Sequence, residues 1–451
     1  MRRIIGLIAL TPLLLLLSAC GSEPEAKIFP YPYSLTDLEN GLRVVTVDTG
    51  FPEVAALYVV VNVGSRNEVE PGKTGFAHLF EHMMFRGTEK FSPERWEAIM
   101  QDAGAQTNAY TSDDRTVYHA VFSKEDLEPI LELEADRFQN LKYSEEVFRT
   151  ETRAVLGEYN KNFANPMRKL DEIVRKAAFA THTYRHTTMG FVEDVENMPT
   201  MYDYGLEFFD RYYRPEYTTV CVVGDVNAEQ TLSLVKKYWG GWEHGTYKPD
   251  IPVEPPQGEA KTLQEGFHTP TLPIVSVSYH APAYDDEKND SAVLDVISYY
   301  AFSENSALYK KLVVEEQKVD AMEPGYYDHR DPYLFSVEAR VKEKEDVDYV
   351  RDQILATIAK LRDETVPAQP LNDVKSHLRY QFALGLDSTP AIASTLAHYI
   401  NMRGTPETIN KRYALYQDVT PADVQRIAKQ VFVESERTIA TLMYEPQGGA
   451  K

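Results

Sequence analysis

His78, Glu81 and His82 stand at positions i, i+3 and i+4 in the stretch Thr74-Gly75-Phe76-Ala77-His78-Leu79-Phe80-Glu81-His82-Met83-Met84-Phe85-Arg86-Gly87. On a helix these offsets share one face, so the three polar groups form a stripe flanked by Phe76, Leu79, Phe80 and Met83. Thr74 can cap the helix start and Gly87 can close its end, with no proline between them. Two histidines one turn apart can offer two neutral imidazole nitrogens to a zinc ion, and the glutamate between them can act as general base. The competing reading is a pair of hydrogen-bonded core histidines beside a surface glutamate. A zinc hydrolase site needs a third protein ligand and an open position for water.

The elements that would carry such a site are legible along the chain. An Asn40-Gly41 turn feeds a strand through Val47, and Ala55 to Val63 is a second, β-branched strand ahead of the motif helix. Ser92 and Pro93 start another helix. Ala105 to Thr111 and Thr116 to Phe122 read as paired strands, and 124–141 and 144–179 as long helices. Glu158 and Glu151 lie on the helix from Ser144, seven residues apart and so on one face. Residue physics alone does not choose between them, or between them and the other glutamates of that helix.

Residues 248–264 carry Pro249, Pro252, Pro255 and Pro256, the composition of a linker. Beyond it the pattern restarts, and Lys344-Glu345-Asp346-Val347 repeats Lys124-Glu125-Asp126-Leu127 220 residues later. The reading is α+β: a duplicated mixed α/β unit, with domains at 34–245 and 266–447 joined by a Pro-rich linker at 246–265. The second copy has no His-x-x-Glu-His, so the first carries the chemistry and the second is inactive.

The chain has 451 residues, 43% of them hydrophobic, and a net charge of −22, which argues against a nucleic-acid partner. Arg2 and Arg3, the apolar run Ile4 to Leu17 and Leu17-Ser18-Ala19-Cys20 read as a signal peptide over 1–20. The last four residues resemble a bacterial lipobox. That implies lipidation of Cys20, a membrane anchor, and a tether over 21–33, and Gly21 implies outer-membrane sorting on the periplasmic side. Cys221, in an apolar strand run, is then the remaining cysteine and a buried core residue.

His78 to Thr88, Gly104 to Tyr118, Glu151 to Tyr159 and His182 to Met198 together resemble the pitrilysin/insulinase family of zinc peptidases, and within it the branch of mitochondrial processing peptidase and its bacterial relatives. The resemblance implies one Zn2+ per chain held by His78, His82 and Glu158, the last 76 residues after His82. It implies that Glu81 takes the proton from a zinc-bound water during hydrolysis of peptides or unfolded segments. It further implies that Glu151 orients a ligand histidine, and that Asn108, Ala109 and Tyr110 bind an extended substrate by strand addition.

One part of the family pattern is absent. Complete members carry an Arg and a Tyr in the second half, thought to bind substrate and stabilise the oxyanion. Here Val313 stands where the Arg is expected, the next arginine is Arg330, and Tyr326 and Tyr327 are out of register. The resemblance therefore implies a heterodimer with a homologous, zinc-less subunit that supplies Arg and Tyr. A homodimer using Arg330 or the tyrosines is the competing assembly, and a non-catalytic scaffold of the same fold the competing function.

Overall fold

The computed structural model describes residues 27–446, so the expected signal peptide, Cys20 and the start of the expected tether lie outside the described residues. The first half runs β1 (Tyr33–Asp37), β2 (Arg43–Asp48), β3 (Val54–Val61), α1 (Phe76–Met83), α2 (Pro93–Asp102), β4 (Gln106–Thr111), β5 (Thr116–Ser123), α3 (Leu127–Asn140), α4 (Glu145–Phe163), α5 (Pro166–Ala178), α6 (Val192–Asn197), α7 (Tyr202–Tyr212), β6 (Thr218–Gly224) and α8 (Ala228–Trp239). The second runs β7 (Lys261–Phe267), β8 (Ile274–Ala281), α9 (Asp290–Phe302), α10 (Ala307–Tyr309), β9 (Val319–Tyr326), β10 (Tyr333–Val341), α11 (Val347–Asp363), α12 (Ala368–Leu384), α13 (Thr389–Arg403), α14 (Glu407–Asp418), α15 (Pro421–Val431) and β11 (Arg437–Tyr444).

Two sheets with one topology establish the duplication. The first has the order β1-β2-β6-β3-β5-β4 and the second β7-β11-β8-β10-β9. With β1 set aside, each opens on one parallel pair (β2 with β6, β7 with β11) and continues antiparallel to an edge strand, β4 or β9. The repeated Lys-Glu-Asp segments are 3-10 turns at equivalent places, leading into α3 and α11. In the position of α1 the second half has α9, which carries no histidine.

The packing interleaves the two halves. β3 is apolar at every position, so both faces must be covered. Leu57, Val59 and Val61 face the helices of their own half, among them α1, whereas Ala56, Tyr58 and Val60 share a core with Ile392, Leu396 and Ile400 of α13. Reciprocally, Leu170, Val174 and Ala178 of α5 pack with Ile274, Leu334, Ala440 and Leu442 of the second sheet. Each half thus lends a helix to the other's sheet, and 246–265 does not divide the core. That segment has no regular structure to residue 260 and then enters β7. Toward the end of the expected tether Phe29 is buried, its N–H donates to Asn410 at 3.0 Å, and Tyr33 opens β1. Cys221 is buried in the β3–α13 core, as its run implies.

The loop after β4 is knotted into the seam between the halves. Asp113 accepts from Ser65 at 2.9 Å and from Arg175 at 2.8 Å, and its Oδ2 lies 3.0 Å from His329 Nε2. His329 Nδ1 lies 2.8 Å from the Tyr327 carbonyl, so both ring nitrogens face acceptors and the geometry suits the imidazolium. Burial opposes that charge, but Asp113 and Asp114 outweigh it and raise the His329 pKa above its ordinary value. A raised pKa gives stability that is complete below the unfolded value, about 6.5, and is lost as pH rises through the folded value. His329→Gln is therefore expected to cost about 2 kcal/mol near pH 6 and less near pH 9, in urea unfolding. An equal loss at both pH values would contradict the charged assignment.

Candidate metal centre

Helix α1 presents His78, Glu81 and His82 while Phe76, Leu79, Phe80 and Met83 are buried in the first half's core. Its start differs from the sequence expectation. Thr74 is not the cap: its hydroxyl donates to Asp194 at 2.7 Å and accepts from the Phe191 N–H at 2.8 Å. Gly75 takes the N-cap position with φ 90°, and a Cβ there would meet the Met189 carbonyl oxygen at 2.8 Å, so the site needs glycine on both counts. The predicted 144–179 helix is two helices. Asn165 caps α5 by accepting from the Met167 N–H at 2.9 Å, and Pro166 cannot continue α4 because it lacks an N–H.

Glu158, on α4, meets both histidines of α1. Its Oε2 lies 3.7 Å from His78 Nε2 and 3.4 Å from His82 Nε2, while its Oε1 is 3.4 Å from Asn162 Nδ2. The three ligand atoms all lie within 4.8 Å of one another, and among the described residues no other group of three such side chains does this. The spacing tests the fit to zinc. Ligand bonds of about 2.0–2.2 Å in a tetrahedron put neighbouring donor atoms about 3.4 Å apart. The donor set, two imidazoles and a carboxylate, suits zinc. Burial, then His82, lower the His78 pKa to about 4, which keeps that imidazole neutral, the form that binds a metal. His78 Nδ1 is buried without a partner, leaving Nε2 as the nitrogen that faces the other two groups.

Glu81 is half-buried beside this group. Its Oε2 accepts from the Thr111 hydroxyl at 2.6 Å, which ties it to the end of β4. Burial raises its carboxyl above the ordinary value, against the pull of Thr111 and His82. A raised carboxyl suits general-base work near neutral pH. Thr111 ends the strand that the resemblance sets beside the site; its bond to Glu81 is seen only in the fold.

Glu151 is buried 3.9 Å from His82 Nδ1, beyond direct hydrogen-bond reach, and accepts from Arg86 Nη2 at 2.9 Å. Arg86 stands out only as a residue near the end of the motif until this contact is seen. Asn108, Ala109 and Tyr110 lie on β4, the edge of the first sheet, paired with His119, Tyr118 and Val117 of β5 on one side only. Asn108 Oδ1 accepts from the Ala109 N–H at 2.9 Å. Of the candidates for the missing pair, Val313 is packed against the second half's core, the Tyr326 hydroxyl is buried without a partner, Tyr327 is exposed, and the Arg330 N–H donates to Asp114 at 3.0 Å.

Residues 43–191 match the family described as Insulinase (Peptidase family M16), and residues 203–378 match the Peptidase M16 inactive domain. The zinc protease PqqE of Helicobacter pylori is 28% identical over 454 residues, 98% of each chain. The mitochondrial-processing peptidase subunit beta of Bos taurus is 31% identical over 224 residues, 49% of this chain and 44% of that one. Among solved structures, a protease from Helicobacter pylori has TM-score 0.86 at 27% identity, over 92% of this chain and 99% of that one. The first half of the periplasmic protease PqqL from Escherichia coli has TM-score 0.72 at 18% identity, over 92% of each chain, and shares the fold.

Proposed function

The chain belongs to the insulinase family of peptidases, family M16, and from that premise we propose that it is a zinc-dependent endopeptidase acting on peptides or unfolded segments, with Glu81 as general base. The observation that carries this reading is the convergence of His78, His82 and Glu158, from two helices, beside a half-buried Glu81 fixed to an edge strand. One Zn2+ held by these three residues would supply Lewis acidity for the peptide carbonyl and lower the pKa of the attacking water. The His78 and His82 imidazoles and the Glu158 side chain would be its donors. Glu81, its carboxyl raised by burial, takes the proton from the attacking water and returns it to the leaving amine.

Thr111 keeps Glu81 at the end of β4, so a peptide adding to that edge beside Asn108, Ala109 and Tyr110 runs past the base. Backbone pairing of this kind gives affinity with little sequence demand. Glu151, held by Arg86, places a negative charge behind His82 and acts on it at a distance. The intact donor set favours this reading over a non-catalytic scaffold.

The chain has no Arg and Tyr where the family pattern expects them, and the cattle relative is by its name a subunit. We therefore assign the oxyanion-binding groups to a homologous, zinc-less partner subunit. The sequence of residues 1–20 adds an exported protein anchored in a membrane through lipidated Cys20, on the periplasmic face of the outer membrane.

The test is hydrolysis of a quenched peptide library by the mature chain alone and with the subunit that co-purifies with it. Cleavage confined to the pair is the expected result. Equal cleavage by the chain alone would remove the split site, and no cleavage by either with zinc bound would return the chain to a scaffold role.

A further inference from the structure

Helix α1 begins without a cap of its own. The first N–H groups of a helix have no intrahelical acceptors, Gly75 has no side chain to offer, and the Thr74 hydroxyl is engaged with Asp194 and Phe191. The acceptors come from Glu68, in the segment that leads from β3. Its Oε2 accepts from the Gly75 N–H at 2.8 Å and its Oε1 from the Ala77 N–H at 2.7 Å. Both oxygens of one carboxylate are thus bound to the helix start, and Ala77 immediately precedes His78.

Nothing else in its surroundings accounts for a carboxylate at this place. The Glu68 side chain is wholly buried, and the group at ion-pair distance from it is His186, with Nδ1 3.7 Å away. That imidazole is neutral, since burial lowers its pKa to about 4. Burial raises the Glu68 pKa to about 8, opposed by the Ala77 and Gly75 N–H groups. Near neutral pH the group is then largely the acid, and in either form a carboxyl kept from water is costly unless its oxygens are engaged. The Gly75 and Ala77 N–H groups at the start of α1 engage both of them.

His78 is the third residue of α1 and so lies in the turn most prone to fray. Its partner Glu158 stands on a separate helix, and a metal site needs its donors held to within about 0.5 Å. We propose that Glu68 is a positioning residue of the metal centre: by accepting the free N–H groups of Gly75 and Ala77 it fixes the first turn of α1, and with it His78, opposite Glu158. The proposal rests on the zinc reading of that group.

The experiment compares the wild-type chain with Glu68→Gln and Glu68→Asp, and with Thr420→Ala, which removes the side-chain cap of α15 in the second half. Zinc affinity is measured by competition with a chelating dye, and amide exchange is followed in the metal-free chain. Glu68→Gln keeps the shape but can accept at one atom only. It should bind zinc about 10- to 100-fold more weakly and exchange faster at residues 77–79, while Thr420→Ala does neither. Glu68→Asp, with shorter reach, should fall between, and it decides the question if the glutamine variant does not fold. Wild-type zinc affinity in the Glu68 variants, or equal weakening in Thr420→Ala, would overturn the proposal while the metal centre stood. A wild-type chain that binds no zinc would overturn the metal reading itself.

Discussion

Glu158→Gln should lose zinc about a hundredfold or more while the metal-free chain keeps its wild-type melting temperature. Structural zinc sites bind with roughly 10–16 kcal/mol shared among four ligands, so one ligand carries about 3 kcal/mol, close to two orders of magnitude in affinity. Glu158 is partly exposed, and its one protein hydrogen bond, to Asn162, is long at 3.4 Å, so the fold loses little with the charge. Glu151→Gln makes the contrast. That carboxylate is buried, clamped by Arg86 and 3.9 Å from His82, so its loss should weaken zinc by about tenfold at most but destabilise the chain. Calorimetric zinc titration and thermal unfolding of both variants check the pair. Equal zinc loss in the two would mean that Glu151 is a ligand.

Glu81→Gln should leave zinc bound and lower the hydrolysis rate by about 10²–10⁴, the usual contribution of a general acid–base group. The glutamine can still accept from the Thr111 hydroxyl, so the end of β4 stays in place and KM should change little. A fall in kcat with KM preserved marks an interaction made in the transition state. Zinc affinity should be unchanged or slightly stronger, since Glu81 is not among the three converging donors. Steady-state kinetics with the partner present gives the split. A large rise in KM with kcat preserved would instead make Glu81 a substrate-binding residue.

The face shared by His78, Glu81 and His82 was legible because helical periodicity is local. The duplication was legible too, through a repeated helix entry whose two copies the structure places at the same point of two sheets. Glu158 was different: its helix was visible, but many glutamates share it, and resemblance selected the one that the fold brings to the histidines. The bond of Thr111 to Glu81, and Arg86 and Glu68 as site residues, were unread because the partners lie 30, 65 and up to 9 residues away, at contacts that depend on tertiary packing. Glu68 in particular looked like one acidic residue in an acidic chain, and Thr74 looked like the cap that Glu68 supplies.

The exchange of α5 and α13 shows the same limit at the level of the domain. The unbroken apolar run of β3 required two covered faces, but no local signal says which helix covers the second. Proline density placed the boundary at 246–265, whereas the cores are interleaved before and after it.

The most direct test adds zinc stepwise to the metal-stripped chain with its partner subunit and follows hydrolysis of a quenched peptide. The expected result is a rate that rises linearly and breaks at one zinc per chain, with Glu81→Gln taking up the same single equivalent in silence. Full hydrolysis before any zinc is added, or a break that persists when Glu158 is replaced, would contradict a zinc peptidase built on His78, His82 and Glu158.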